Sequence, residues 1–287
     1  MSAAPKPPFV PGYDIVGRVL HIGPSVTTVR PGDRVAALTL HGSYAEIVYL
    51  PESDLYPVPE ELDPAEAVAV ILNYMTAYQM LHRTAEAKAG SRVLIHGAAG
   101  GVGTALLQLG AAAGLRMAGA AGDGERERLL RYAADAVDSR RSDLGEALRK
   151  LAPEGYDVVI EGTGGPQVKQ SVPLLGRGGK LVVYGVAHLF AGGRRRAQRA
   201  VRTYAGLAAA RVRVRLRGNR SHIYSITASK KRHPEWFAED LSRLFDLLRD
   251  RRIAPVIAAR MPLSEARRAH ELLERQQAFG KIVLLPS

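Results

Sequence analysis

The chain has 287 residues, enough for two ordinary domains, and 46% of them are hydrophobic, ample for buried cores. It contains no cysteine, which excludes disulfides and every thiolate ligand or nucleophile within this sequence. No run approaches the roughly 18 apolar residues of a membrane span, and Met1 to Pro8 has no apolar stretch of the kind that marks secretion.

A formal net charge of +12 raises polyanion binding as a question. Much of the excess lies in Arg194 to Arg220 and in Lys230-Lys231-Arg232, and only eight of the 40 basic residues are lysine. That arginine bias, beside abundant alanine, reads as solvated helix faces. The expected partner is therefore not a nucleic acid, and the expected location is the cytoplasm, without a membrane.

Residues 9 to 50 read as short β elements broken by turns: Ile15 to Ile22, Gly23-Pro24-Ser25, Pro31-Gly32-Asp33, Val35 to Leu38 and Tyr44 to Leu50. This spacing predicts a small barrel or sandwich. At Pro64 the pattern turns helical: Asp63 is placed to cap, Pro64 suits the first turn, and Ala65 to Leu81 is rich in helix formers.

Arg92 to Gly103, Arg-Val-Leu-Ile-His-Gly-Ala-Ala-Gly-Gly-Val-Gly, is the most informative stretch. An apolar run ends in small residues and continues as Thr104 to Leu109, which predicts strand, tight turn and helix. Ala98, Gly100 and Gly103 occupy the three small positions of the dinucleotide fingerprint, with Ala in place of the first Gly. Small residues there let backbone N–H groups at the helix start approach a pyrophosphate. The expected cofactor contacts in the turn are Gly97, Ala98, Gly100, Gly101, Val102 and Gly103.

Alternation continues: strands at Arg116 to Ala121, Ala136 to Asp138, Asp157 to Glu161 and Lys180 to Tyr184, with helices at Glu125 to Ala133, Asp143 to Leu151 and Gln167 to Leu175. Such alternation implies right-handed crossovers and a parallel sheet. An Arg-rich helical excursion follows, then a strand at His222 to Thr227, a helix at Pro234 to Arg251 with Trp236, Leu241, Leu244 and Leu248 on one side, and a tail with a helix (Ser264 to Gln276) and a strand (Lys281 to Leu285). The fold class is α/β. A doubly wound sheet is expected over residues 69–252, and a partial β domain over 1–68 completed by 253–287.

The ordered matches Pro11-Gly12-Tyr13-Asp14 with Gly17, Pro31 to Val35, Gly42 to Glu46, Thr76-Ala77-Tyr78, Gly97 to Gly103, Gly178-Gly179-Lys180, Ala269-His270 and Gly280 to Val283 cover nearly the whole chain. On these residues it resembles the zinc-independent, quinone oxidoreductase-like branch of the medium-chain dehydrogenase/reductase family. The resemblance implies a GroES-like substrate domain, a Rossmann domain, NADPH as hydride donor, a quinone or α,β-unsaturated carbonyl as acceptor, and a homodimer. It also implies some 50 to 60 further residues ahead of the Phe9 region. Their absence implies either a start assigned too late or a natural truncation, and the second makes a non-catalytic NADP(H)-binding protein the alternative expectation.

Zinc-dependent relatives carry His-Glu where this chain has Tyr13-Asp14, and draw other ligands from cysteines. Tyrosine is a poor zinc ligand, so no metal is expected. Hydride addition to a conjugated acceptor, whose charge delocalises, then fits the chemistry. By alignment Ala120 takes the acidic position of NAD-specific relatives, which points to NADPH over NADH; Gly122 and Arg126 join the expected site, although Glu125 opposes it. Thr76 matches the nicotinamide-facing threonine. Gly162, Thr163, Tyr184, Gly185 and Val186 end two strands at the edge where such sheets bind ligands. Tyr44, Asn73 and Tyr74 are the candidates for catalysis.

Overall fold

The structure, a computed structural model, describes residues 7–122, 124–132, 135–162, 167–185, 196–275 and 277–286, with backbone alone at 167 and 196–204. The chain divides into two compact units, Met1–Thr76 with Ile226–Ser287, and Ala77–Ser225.

In the first unit, β1 (Asp14–Arg18) pairs antiparallel with β2 (Arg34–Leu38), which pairs antiparallel with β3 (Tyr56–Pro57). Helix α1 (Pro64–Ala69) starts as expected: Asp63 Oδ1 accepts the Glu66 N–H at 2.9 Å, with Pro64 in the first turn. The helical run continues through a π-helical turn (Val70–Tyr74), α2 (Met75–Tyr78) and a second π-helical turn (Gln79–Thr84). The unit is completed by α8 (Ile226–Arg232), α9 (Pro234–Arg249), β10 (Ile257–Pro262), α10 (Ala266–Glu274) and β11 (Lys281–Leu285), the two strands pairing in parallel.

Four expectations change here. Residues 44–50 form no strand; Ile47 and Tyr49 are exposed, so no buried face is available to drive pairing. A short helix, α8, begins at Ile226, inside the strand expected over His222 to Thr227. In α9 the core-facing aromatic is Phe237, which packs on Tyr56, whereas Trp236 stacks on the His233 ring 3.8 Å away. Residues 226–252 belong with the first unit, whereas the sequence placed them with the parallel sheet; α9 packs against the turn Val70–Tyr74.

The second unit is built on β4 (Arg92–His96), α3 (Gly101–Ala112), β5 (Arg116–Ala121), α4 (Arg126–Leu130), β6 (Asp135–Asp138), α5 (Leu144–Leu151), β7 (Tyr156–Glu161), α6 (Gln167–Ser171), β8 (Leu175–Val183), α7 (Arg196–Leu216) and β9 (Arg220–Ile223). Its six strands are all parallel in the order β6-β5-β4-β7-β8-β9. The chain thus winds outward from β4 in one direction and then from β7 in the other, the order of a Rossmann sheet.

The inner strands carry apolar runs, Val93 to Ile95 in β4, Val158 to Ile160 in β7 and Leu181 to Val183 in β8, as burial on both faces demands, whereas the edge strand β9 is Arg-Ser-His-Ile. Leu94, Val159 and Leu181 meet Leu148, Val168, Leu207, Ala210 and Val214 of α5, α6 and α7 on one face. Leu207, Ala210 and Val214 recur at helical spacing, so α7 buries one stripe and turns Arg211, Arg213 and Arg215 outward. Among the described residues no helix is long and apolar enough to cross a membrane.

Candidate functional site

The β4–α3 turn sits where the winding reverses direction, the position at which open parallel sheets bind ligands at their carboxyl edge. Gly97, with φ +78°, supplies the sharp exit from β4, a conformation costly for any residue with a Cβ. The Gly97 and Ala98 N–H groups both donate to the Ala120 carbonyl at 3.1 Å, tying the turn to β5. Gly100 is the N-cap of α3, and among the described residues no side chain caps it. The N–H groups of Gly101, Val102 and Gly103 therefore form an uncapped, positively polarised helix start.

Two contacts explain the small residues. A Cβ on Gly103 would lie 2.6 Å from both the Cα and the carbonyl carbon of Ala98 and would also strike the Gly97 carbonyl oxygen. Glycine at 103 is thus what lets α3 lie against the turn. Ala98 takes the first small position because β5 has a glycine facing it: a Cβ on Gly119 would come within 2.9 Å of the Ala98 methyl. The methyl group missing from β5 is supplied by the turn, and Ala98 is fully buried. Thr104 locks the first turn, its hydroxyl reaching the Gly100 and Gly101 carbonyls at 3.1 Å.

At the carboxyl end of β5, the position of a Cβ on Gly122 would be 3.5 Å from Arg140 Nη2 and 3.9 Å from Glu125 Oε2. Burial pushes the Glu125 carboxyl up, opposed by the nearby Arg128 and Arg140. Arg126 is differently engaged: its Nε donates to the Ala136 carbonyl at 3.1 Å. Arg140 was not singled out in the sequence because it lies 18 positions from Gly122. The parallel register pairing Ala121 with Asp138 brings it there.

Beneath the turn, His96 and Glu161 are register partners in β4 and β7, and both are buried. The Ser171 hydroxyl donates to Glu161 Oε2 at 3.1 Å. Burial holds the His96 imidazole below its usual range, against the pull of Glu161. At the end of β8 the Tyr184 side chain lies over Gly162, where a Cβ would strike its hydroxyl and come within 2.5 Å of the ring; burial first, and Glu161 second, push its hydroxyl well above the usual phenol range. Gly185 follows with φ +69°. Thr163 and Val186 lie outside the described residues.

The remaining candidates belong to the first unit. Tyr74 and Thr76 are buried, and Asn73 is half-buried on the same helical run. Tyr44 meets the His270 ring edge-on, with centroids 5.7 Å apart; burial, and then Asp14, push its hydroxyl up. Lys281 Nζ donates to Asp14 Oδ2, so the carboxylate at the Tyr13-Asp14 pair is already bound to a cation. Among the described residues no group of three His, Asp or Glu is arranged to hold a metal, and this donor set does not fit zinc.

A family model described as zinc-binding dehydrogenase matches residues 132–284, and one described as alcohol dehydrogenase GroES-like domain matches residues 1–60. The quinone oxidoreductase of Lama guanicoe is 31% identical over 294 residues, covering 99% of this chain and 82% of that protein. The chain belongs to the quinone oxidoreductase-like group of the medium-chain dehydrogenase/reductase superfamily. This family of oxidoreductases combines the Rossmann and GroES-like domains expected from the sequence. A second relative, the synaptic vesicle membrane protein VAT-1 homologue of Danio rerio, is 29% identical over 282 residues; the match covers 98% of this chain and 58% of that protein's length. Among solved structures, a mycobacterial protein complexed with NADPH superposes with a TM-score of 0.81 at 29% identity, over 97% of this chain and 83% of that one.

Proposed function

We propose that the protein reduces a quinone or an α,β-unsaturated carbonyl with NADPH, without a catalytic zinc. The observation that carries this reading is the uncapped start of α3, where Gly103 is held so close to Ala98 that no side chain fits. NADPH supplies the hydride when bound. The N–H groups of Gly101, Val102 and Gly103 hold its pyrophosphate, and Gly122, Gly162, Tyr184 and Gly185 line the carboxyl edge along which the rest of the molecule lies. The quinone oxidoreductase relative and the NADPH-bound mycobacterial structure support the same reading.

Zinc is left out because Asp14 is paired with Lys281 and the chain has no cysteine. A conjugated acceptor suits that absence, since its developing charge delocalises without a Lewis acid. Thr76, Asn73, Tyr74 and Tyr44 remain the residues assigned to the nicotinamide and substrate side, and residues 1–76 with 226–287 are the assigned substrate domain. We assign a homodimer and a cytoplasmic location on family grounds.

Consumption of NADPH with phenanthrenequinone, followed by absorbance, is the direct test. Turnover is expected. Tight NADPH binding with no turnover across a panel of quinones and enones would overturn the reductase and leave a dinucleotide-binding protein.

Coenzyme choice is assigned to Arg140. Its guanidinium lies beside Gly122, where a charge-assisted contact to a 2′-phosphate is available and absent with NADH. Arg140→Ala is expected to weaken NADPH binding by about tenfold to a hundredfold, in line with the roughly 1.5–3 kcal/mol of a hydrogen bond to a charged group, while NADH binding changes less than about twofold. Fluorescence titration with both coenzymes checks this, and equal losses for the two would remove Arg140 from the role.

A further inference from the structure

Between Glu161 and Glu235 the sequence holds sixteen Lys and Arg and no Asp or Glu. This stretch therefore carries more than the whole net charge of +12, and the rest of the chain is net acidic. Folding gathers part of that charge around one cavity of about 360 Å³, lined by Lys169, Val172, Pro173, Arg213, Leu216 and Arg217. These residues sit just before β8 and β9 begin, which places the cavity at the amino edge of the sheet, opposite the dinucleotide turn.

The cavity has two kinds of wall. Lys169, Arg213 and Arg217 make no side-chain ion pair or hydrogen bond among the described residues. Among the described residues no side chain pairs with their charge. Val172, Pro173 and Leu216 supply apolar surface, and Leu216 is 81% exposed, with Val212 one turn earlier 58% exposed. Leu216 and Val212 lie off the apolar stripe that α7 buries through Leu207, Ala210 and Val214, so their apolar surface is free to meet a ligand.

The rim is fixed before any ligand arrives. Arg149 Nη2 donates to the Pro173 carbonyl, and the Asn219 side-chain oxygen accepts the Gly179 N–H at 3.0 Å, pinning β9 to β8 directly after α7. An open depression with convergent cations beside apolar surface suits a small molecule that has both a charge and an apolar body. A polyanion would use the cations and leave the apolar wall wet.

We propose that this cavity binds a small amphiphilic anion, its carboxylate, sulfate or phosphate headgroup held by Lys169, Arg213 and Arg217 and its chain lying along Leu216, Val172 and Pro173.

Calorimetric titration of the full chain with octyl phosphate tests this, with inorganic phosphate and a single-stranded oligothymidylate as comparison probes. Octyl phosphate is expected to bind at least tenfold more tightly than inorganic phosphate. Arg213→Glu/Arg217→Glu should weaken octyl phosphate at least tenfold, while Arg215→Glu, an exposed arginine of the same helix that does not line the cavity, should change it less than twofold. Leu216→Ser should weaken octyl phosphate and leave inorganic phosphate unchanged. Thermal melts of the variants confirm folding, since all four positions are exposed. Equal affinity for the two phosphates, equal losses in the Arg215 and Arg213/Arg217 variants, or tighter binding of the oligonucleotide than of octyl phosphate would each overturn the proposal, the last in favour of nucleic acid.

Discussion

Gly103→Ala is expected to raise the dissociation constant for NADPH at least a hundredfold and to lower stability by about 1–3 kcal/mol, the usual cost of forcing a methyl group into a closed site. The added Cβ would lie 2.6 Å from two backbone atoms of Ala98, and backbone held by two hydrogen bonds to Ala120 does not swing aside as a flexible side chain does. Helix α3 must then retreat from β4, loosening the packing of the buried Leu106 and Leu107 and moving all three N–H groups that point from its start. Gly100→Ala is the contrasting variant: its Cβ would meet only the Gly97 carbonyl at 3.6 Å, an ordinary contact, so its melting temperature is expected to match the parent protein. Fluorescence titration and thermal melting read the two effects separately. A Gly103→Ala protein that bound NADPH within about threefold of the parent would remove the close approach as the reason for glycine.

Asp14→Ala is expected to destabilise the fold by about 3–5 kcal/mol, the usual cost of stranding one partner of a buried ion pair. The two side chains are 10% and 15% exposed, so water compensates little of the charge left on Lys281. The pair joins β1 to β11 across the first unit, from opposite ends of the chain, and Lys281 also reaches the Val68 carbonyl at 3.4 Å. Asp14→Ala/Lys281→Met removes both charges and is expected to recover most of the loss, because no buried ion is then left unpaired. Urea unfolding of the two single variants and the double variant gives the coupling directly. Additive losses would show that the pair contributes no mutual stabilisation. Zinc added to Lys281→Met, where Asp14 is released, is expected to leave the melting temperature unchanged, since one carboxylate beside a tyrosine is a poor zinc site.

Much of the sheet was legible because its signals are local. The strand, small-residue turn and helix at Arg92 to Leu109, the capped start at Asp63-Pro64, and the alternation that follows depend on periodicities of two and 3.6 residues and on single turn residues. The family resemblance added what local physics does not contain, the pairing of this sheet with a GroES-like domain. The same local reading failed where pattern and burial part company. Residues 44–50 are rich in strand-forming residues, yet Ile47 and Tyr49 are exposed and no strand forms, and Trp236 is the larger aromatic but Phe237 faces the core.

By itself, then, the sequence determined the strand, small-residue turn and helix at which we propose that a dinucleotide phosphate meets the backbone, since these depend on small residues at fixed spacing and on a helix that begins among them. Only the tertiary structure decided why Ala98 is tolerated there, through the gap at Gly119 on the neighbouring strand, and that Arg140 stands beside Gly122 while Arg126 reaches the Ala136 carbonyl. Asp14 and Lys281, 267 positions apart, became partners in the same way. Each depends on strand register and on chain segments brought together by burial of apolar faces, and neither leaves a mark on the spacing of residues along the chain.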